Sequence, residues 1–346
     1  MSNLQIGLAI AGGVVLAAVV AHGAWSARKA APRQAVPEPG AQAPSLQEPV
    51  LDESGPTDVG TSTWSGLAQR RTGLDALIDV IATVALDGPH PIVSGEAALA
   101  AMPSTRRAGS KPYAIEGFNL TAQIWEPPVP GQRYGGFQAG VQLANRSGAL
   151  NEIEFSEFVM KTQAFADALG ATPEFPDMLE EVARARELDQ FASEHDAQLG
   201  FTIRARSASW STGFVQQHAA RMGFVPGVLP GRMVLPATVE GAAPVLVLGF
   251  DAQAALADDA THAAVREVTL HLDVAQVDRN EQPFVRMREA AQALASAMDG
   301  VVTDDNGQAL TPEVMDVIGS ELESLYDALE QRDLAAGSQL ARRLFA

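Results

Sequence analysis

The stretch "DGVVTDDNGQALTPEVM", Asp299 to Met315, concentrates side-chain oxygens that could hold a metal ion. A calcium loop of the EF-hand type needs oxygen ligands at alternate positions, a central glycine and a final glutamate. Here Asp304 and Asp305 are adjacent, Asn306-Gly307 is typical of a turn, and Thr311 is typical of a helix cap. The pattern therefore predicts a turn between a strand and a helix rather than a metal site.

The other residue types that could form a metal or catalytic site do not occur in the spacing that such a site needs. None of the six histidines is spaced as a metal ligand, and no glycine-rich phosphate loop or G-x-S-x-G motif is present. With no cysteine, the sequence has no disulfide or zinc-thiolate site. We therefore predict a binding protein without cofactor, metal or small-molecule substrate. An enzyme whose carboxylates converge in the fold is the less favoured alternative.

The charge of the chain bears on its partners. The formal net charge is -18 over 346 residues. Binding to phosphates needs clustered cations, so this acidic chain is not expected to bind nucleic acid.

The N-terminus contains the longest uncharged segment, Leu4 to Trp25. Its length matches the roughly 20 residues that span a bilayer. The cations Arg28, Lys29 and Arg33 all follow it, whereas a cleaved signal peptide carries its cations before the apolar segment. We predict a single-pass inner-membrane protein with its N-terminus outside and its C-terminal domains in the cytoplasm. A signal peptide cleaved near "AHGAWSA" is the alternative.

Residues 28–65 are rich in Pro, Ala and Gln and have few aliphatic clusters. A segment of this composition cannot bury a core, so it is predicted to be a disordered linker.

Strand and helix patterns alternate from Leu74 onward and then recur in the same order. A shift of 129 positions places Phe155 on Phe284, Phe165 on Leu294 and Leu169 on Met298. We predict two tandem units, each an antiparallel sheet backed by helices.

Two strands of the second unit, in "RMVLP" and "VLVLGF", are apolar at successive positions, although a sheet with helices on one side should alternate. Either other parts of the chain cover the second face, or that face is an exposed apolar groove for a peptide. Both interpretations stay open on the sequence alone.

Several segments resemble one family. The uncharged N-terminus, the apolar segment, the linker and the α+β region are similar to the ZipA family of bacterial division proteins. Within the second unit, "EVTLHLDVAQVDRNEQPF" and "AAQALASAMDGVVTDDNGQALTPEVM" resemble the family's strand, helix, paired aspartates and final helix. In the first unit, "VQLANRSGALNEIEF" resembles its "LAN" strand. The resemblance extends from Leu199 to about Tyr326 and more faintly over residues 74–197.

The resemblance implies that an open sheet face holds the C-terminal tail of the tubulin-like protein FtsZ. Family groove positions match Met233 and Leu235, and His271 replaces a groove aromatic. The predicted peptide-binding residues are Phe201, Ile203, Met233, Leu235, Leu246, Leu248, Leu270, His271 and Leu272.

These expectations define an α+β protein. The predicted domains are a transmembrane anchor (1–27), the linker (28–65), a first divergent ZipA-like unit (66–197), a second FtsZ-binding unit (198–334) and a C-terminal tail (335–346). The resemblance implies a non-enzymatic adaptor that tethers the FtsZ ring to the inner membrane. A scaffold with this fold that binds a different peptide is the alternative.

Overall fold

A computed structural model describes residues 33–34, 73–88, 91–257 and 263–346. The chain divides into two compact units. The first unit comprises the described residues of 73–197 with 274–279 and 322–346, and the second comprises 33–34, the described residues of 198–273, and 280–321. Both units combine sheets with helices, so the predicted α+β class is confirmed. The predicted domain boundaries stay a prediction.

The transmembrane part of the predicted fold class requires correction. Across 33–34, 73–88, 91–257 and 263–346, no helix combines the length and the apolar character needed to cross a bilayer. The segment Leu4 to Trp25, on which the prediction was based, lies outside the described residues. The predicted single-pass inner-membrane location is therefore not supported.

The first unit is built around a seven-stranded antiparallel sheet with the order β3-β4-β6-β1-β9, to which β2 adds beside β6 and β5 beside β4. Its strands are β1 (Asp79–Leu86), β2 (Val93–Ser94), β3 (Arg107–Ala108), β4 (Lys111–Asn119), β5 (Ile124–Glu126), β6 (Arg133–Gln142) and β9 (Ala171–Glu174), and β7 (Ala144–Asn145) pairs with β8 (Gly148–Ala149). Its helices are α1 (Gly95–Ala101), α2 (Glu152–Leu169), α3 (Met178–His195) and α8 (Gln339–Leu344), with a 3-10 turn at Val274–Gln276.

Local sequence explains why α2 forms and packs on this sheet. Asn151 and Glu154 form a capping box at its start, and Gly170 ends it in the left-handed conformation at φ 63°. The apolar side chains of α2 face the sheet, where the ring of Phe165 lies edge-on to that of Phe137 at 5.2 Å. Helix α2 therefore covers one face of the first sheet.

The second unit has a six-stranded antiparallel sheet with the order β12-β13-β14-β16-β10-β17. Its strands are β10 (Gln198–Ala205), β12 (Val225–Pro226), β13 (Arg232–Leu235), β14 (Leu246–Gly249), β16 (Glu267–Asp273) and β17 (Gly300–Thr303), and β11 (Trp210–Ser211) pairs with β15 (Ala264–Val265). Its helices are α4 (Thr212–Arg221), α5 (Ala252–Ala255), α6 (Pro283–Met298) and the part of α7 (Pro312–Glu330) up to Glu321, and it contains the last two residues of a 3-10 turn at Arg279–Glu281.

The two sheets share the arrangement that the sequence repeat predicts. In the first sheet, β1 lies between β6, which precedes the long helix α2, and β9, which follows it. In the second sheet, β10 lies in the same way between β16 and β17, which flank α6. Thr83 of β1 and Thr202 of β10 each pair with the last residue of the final strand, Glu174 and Thr303 respectively. This common register allows positions on the two sheets to be compared one by one.

Part of the predicted linker is bound to the second unit. Arg33 donates its backbone N–H to Ser209 O at 2.7 Å and accepts from Ser211 N at 2.8 Å. Its guanidinium donates a hydrogen bond to Oδ2 of Asp299, the residue that caps the C-terminus of α6, at 2.7 Å. Apart from Arg33 and Gln34, the residues of the linker lie outside the described part of the chain.

Candidate functional site

The two faces of the second sheet carry different side chains, because successive residues of a strand point to opposite sides. Leu270 on β16 pairs with Phe201 on β10 and with Leu248 on β14, so these residues share a face. The ring of Phe201 meets that of Phe284 on α6 edge-on at 6.2 Å. Helix α6 therefore covers this face, which is called the covered face below.

Most of the predicted peptide-binding residues lie on the covered face. They are Phe201, Ile203, Met233, Leu235, Leu246, Leu248, Leu270 and Leu272, and each is buried. Leu235 is the most exposed of them, at 7 %. His271 differs, because its side chain lies on the opposite face and is exposed. The structure thus brings eight of the nine predicted residues together in the core and separates His271 from them.

The opposite face of the second sheet, called the second open face below, has a floor of small and polar residues. His271 pairs with Gly200 on one side and with Val247 on the other. Its Nε2 lies 3.0 Å from Oγ1 of Thr269, which in turn pairs with Gly249. Neither glycine adds a side chain to the floor; a Cβ atom would lie 3.3 Å from Asp305 Oδ1 at Gly200 and 3.2 Å from Thr269 Oγ1 at Gly249.

The second open face forms the floor of a groove of about 1000 Å³. The segments 230–232 and 250–252 line one part of it, and Asp305 lines another. Asp251 holds the start of α5 by accepting a hydrogen bond from Gln253 N, while Gly231 turns the chain at φ 73°. A side chain at Gly231 would strike the backbone oxygen of Phe250, so glycine allows the two wall segments to approach.

Charged side chains surround the floor of the groove. Among its described lining residues, two are arginines, Arg232 and Arg266, and four are carboxylates, Asp251, Glu267, Asp273 and Asp305. The guanidinium of Arg204 lies 3.4 Å from Glu267 in an exposed ion pair. The lining therefore has an excess of negative charge, which favours a ligand that carries a cation.

The aspartates of the opening motif form a turn beside this groove. Asp304 accepts a hydrogen bond from Gln308 N on its Oδ1 at 2.7 Å, and Gly307 has φ 79°. Thr311 Oγ1 accepts from Val314 N at the start of α7, at 3.4 Å. The predicted turn and cap are confirmed. Within the described residues, no group of three or more histidine or carboxylate side chains is placed to hold a metal ion.

The corresponding face of the first sheet, called the first open face, is not free. Residues Gly73–Asp75, called the strap, cross it before β1 begins. Leu74 lies against Gly140 of β6 and donates its backbone N–H to Glu116 Oε1 of β4 at 3.1 Å. By the common register, Gly140 occupies the position of His271 in the second sheet.

Sequence reasoning missed the residues that form the floor of the groove. Gly200, Val247, Gly249 and Thr269 alternate with the predicted apolar residues along the same strands. The alternation in "EVTLHLD" was the available signal, because polar residues occupy every second position there. Tertiary packing decides whether the apolar residues or the small and polar residues of these strands face the helices.

The comparisons with known proteins concern this same unit. Residues 255–321 match the family model described as ZipA, C-terminal FtsZ-binding domain. The match runs from β15 through β16, α6 and β17 into α7, and it therefore includes His271 and Asp305 of the groove. No curated protein matches the chain. The resemblance expected from the sequence is confirmed for this segment: residues 255–321, most of which lie in the second unit, are similar to the C-terminal FtsZ-binding domain of ZipA.

Proposed function

We propose that this chain is a non-enzymatic cell-division adaptor that binds the C-terminal tail of FtsZ on the second open face. The observation that supports this most is the position of the groove, because its lining includes eight residues between Ala264 and Asp273, and Asp305, from the segment similar to an FtsZ-binding domain. The groove has a volume of about 1000 Å³, and its two floor glycines carry no side chain that would keep a peptide backbone from the sheet.

The predicted peptide-binding residues then have two roles in this proposal. His271 contacts the peptide directly, since its side chain is exposed at the centre of the floor. The eight buried residues act indirectly: by packing against the helices, they hold β10, β13, β14 and β16 in the register that shapes the floor.

The expected affinity follows from the small area that a short peptide can bury. Burial of apolar surface stabilises a complex by roughly 25 cal/mol per Å². The cost of ordering the peptide offsets part of that gain. A dissociation constant on the order of micromolar, about -8 kcal/mol, is expected.

A second candidate function follows from the polar floor of the groove. Thr269 and His271 offer hydrogen bonds where an apolar floor would not, and this favours a peptide other than the FtsZ tail. In that case the chain is a scaffold protein that uses the same groove for a different partner.

The test is a titration of the full chain with a labelled FtsZ tail peptide. Val247→Glu, which places a carboxylate on the floor, should raise the dissociation constant at least about tenfold, as loss of a central contact does. The matched control is Val317→Glu, because Val317 is exposed on α7 and does not line the groove. Equal effects of the two substitutions would remove the groove as the binding site. No saturable binding below about a millimolar would remove FtsZ as the partner and leave the scaffold.

A further inference from the structure

The strap meets the first open face through a side-chain contact that needs a glycine. A Cβ atom built on Gly140 would lie 2.4 Å from Cδ2 of Leu74, which is far inside van der Waals contact. Gly136, on the same face of the same strand, has nothing nearer to such a Cβ than Val84 O at 3.9 Å. The leucine side chain therefore occupies a recess that exists because position 140 has no side chain.

The backbone of the strap is also bound, by groups from three different elements. Leu74 N donates to Glu116 of β4, and Asp75 N donates to Asp79 Oδ2 of β1 at 2.9 Å. Arg343, on α8, points a guanidinium nitrogen at Gly73 O from 3.5 Å. Two successive N–H groups and a carbonyl are thus received by side chains, as in a site that recognises an extended peptide.

The two carboxylates that receive the strap are buried. Glu116 is 3 % exposed, and its second oxygen accepts a hydrogen bond from Gln138 Nε2 at 2.8 Å. Asp79 is 1 % exposed and pairs with Arg343 at 2.5 Å. A buried carboxylate is costly unless donors surround it. Gln138 and Arg343 each satisfy one oxygen of these carboxylates, and the N–H groups of the strap satisfy the other oxygen of each.

From these contacts we propose that the first open face is a peptide-binding site, which the chain fills with its own strap. The ligand class is an extended segment with a leucine for the recess at Gly140 and two successive backbone N–H groups for Glu116 and Asp79. A separate peptide of the same chemistry is excluded while the strap is bound, because a tethered segment competes at an effective concentration on the order of millimolar. This site is independent of the groove in the second unit.

The test uses the full chain and a labelled, acetylated peptide with the sequence of residues 70–76, RRTGLDA. Leu74→Asp places a carboxylate beside the buried Glu116 and should expel the strap. The dissociation constant of the peptide should then be at least about tenfold lower for the variant chain than for the unaltered chain. Equal binding by both chains would overturn the proposal, as would equal binding of a control peptide in which the leucine is replaced by aspartate.

A second pair of variants decides the matter if Leu74→Asp does not fold. Gly140→Ala fills the recess, whereas Gly136→Ala adds the same methyl group to free space on the same face. Amide hydrogen exchange at Leu74 and Asp75 should accelerate at least about tenfold in Gly140→Ala and stay unchanged in Gly136→Ala. Identical exchange in both variants would show that the recess does not hold the strap, and would overturn the proposal.

Discussion

The two open faces have the same register but differ at their central positions. The first carries Gly140 and, on the neighbouring strand, Glu116, whereas the second carries His271 and Gly249 at the corresponding positions. In the first unit the sheet supplies a recess and a carboxylate, and a segment of the same chain occupies both. In the second the imidazole fills the recess and a glycine replaces the carboxylate. Two residue positions thus separate an occupied face from an open groove.

The covered faces of the two sheets show no such contrast. In the first unit Phe137 packs edge-on against Phe165 of α2, and in the second Phe201 packs edge-on against Phe284 of α6. Both arrangements place an aromatic pair between a strand and the long helix, with the strand residue buried in each. The packing that holds the fold is therefore common to the units, and the difference in ligand binding lies on the opposite faces.

The largest expected effect tests whether the covered face is core rather than binding surface. Met233→Ala with Leu235→Ala should destabilise the second unit by about 2 to 5 kcal/mol for each truncation, since both side chains are buried. The loss of unfolding free energy is measured by urea denaturation, with amide exchange in β13 and β16 as the readout. Under conditions where the variant stays folded, its affinity for the FtsZ tail should change little. A small loss of stability with a large loss of affinity would instead place these residues in the peptide groove.

Much of the fold could be predicted from periodicity. Alternation of apolar and polar residues marks β1 and β16, and an apolar stripe ended by Gly170 marks α2, so the predicted antiparallel sheet backed by helices follows from local patterns. The strap could not be predicted in this way. Residues 73–75 have no periodic pattern, and their position depends on Gly140, which is distant in sequence.

The candidate site was predictable in part. The sequence located the sheet and His271, but it assigned the apolar residues of β13 and β14 to the groove. An apolar residue is equally compatible with a core and with an exposed groove until the helices are placed. Here α6 lies on the face that carries Leu248 and Leu270. The residues that alternate with them along β14 and β16 therefore form the floor of the groove.

A smaller effect is expected when the carboxylate that distinguishes the first open face is removed. Glu116→Ala leaves Leu74 N–H and the amide of Gln138 without their acceptor. An unpaired buried donor costs about 1 to 3 kcal/mol, so the first unit should lose stability in that range. Glu174→Ala is the matched control, since Glu174 is exposed on the edge strand β9 and should change stability by less than about 0.5 kcal/mol. Similar losses in the two variants, measured by urea denaturation, would mean that Glu116 does not hold the strap.

The smallest effect concerns His271, the residue that distinguishes the second open face. His271→Gly recreates the glycine floor of the first sheet and should reduce the stability of the second unit by about 0.5 to 1 kcal/mol, the cost of glycine in a strand. The affinity for the FtsZ tail should fall by less than about fivefold, because the variant loses an exposed hydrogen-bonding contact rather than a buried anchor. His271→Asn keeps a polar side chain within reach of Thr269 and should retain more of the affinity than His271→Gly. Isothermal titration of the three chains with one peptide measures the order. Tighter binding of the tail by His271→Gly than by the unaltered chain would contradict this prediction. It would mean that the imidazole hinders peptide binding, and that on both sheets a peptide binds better to an open recess of the kind that Leu74 fills.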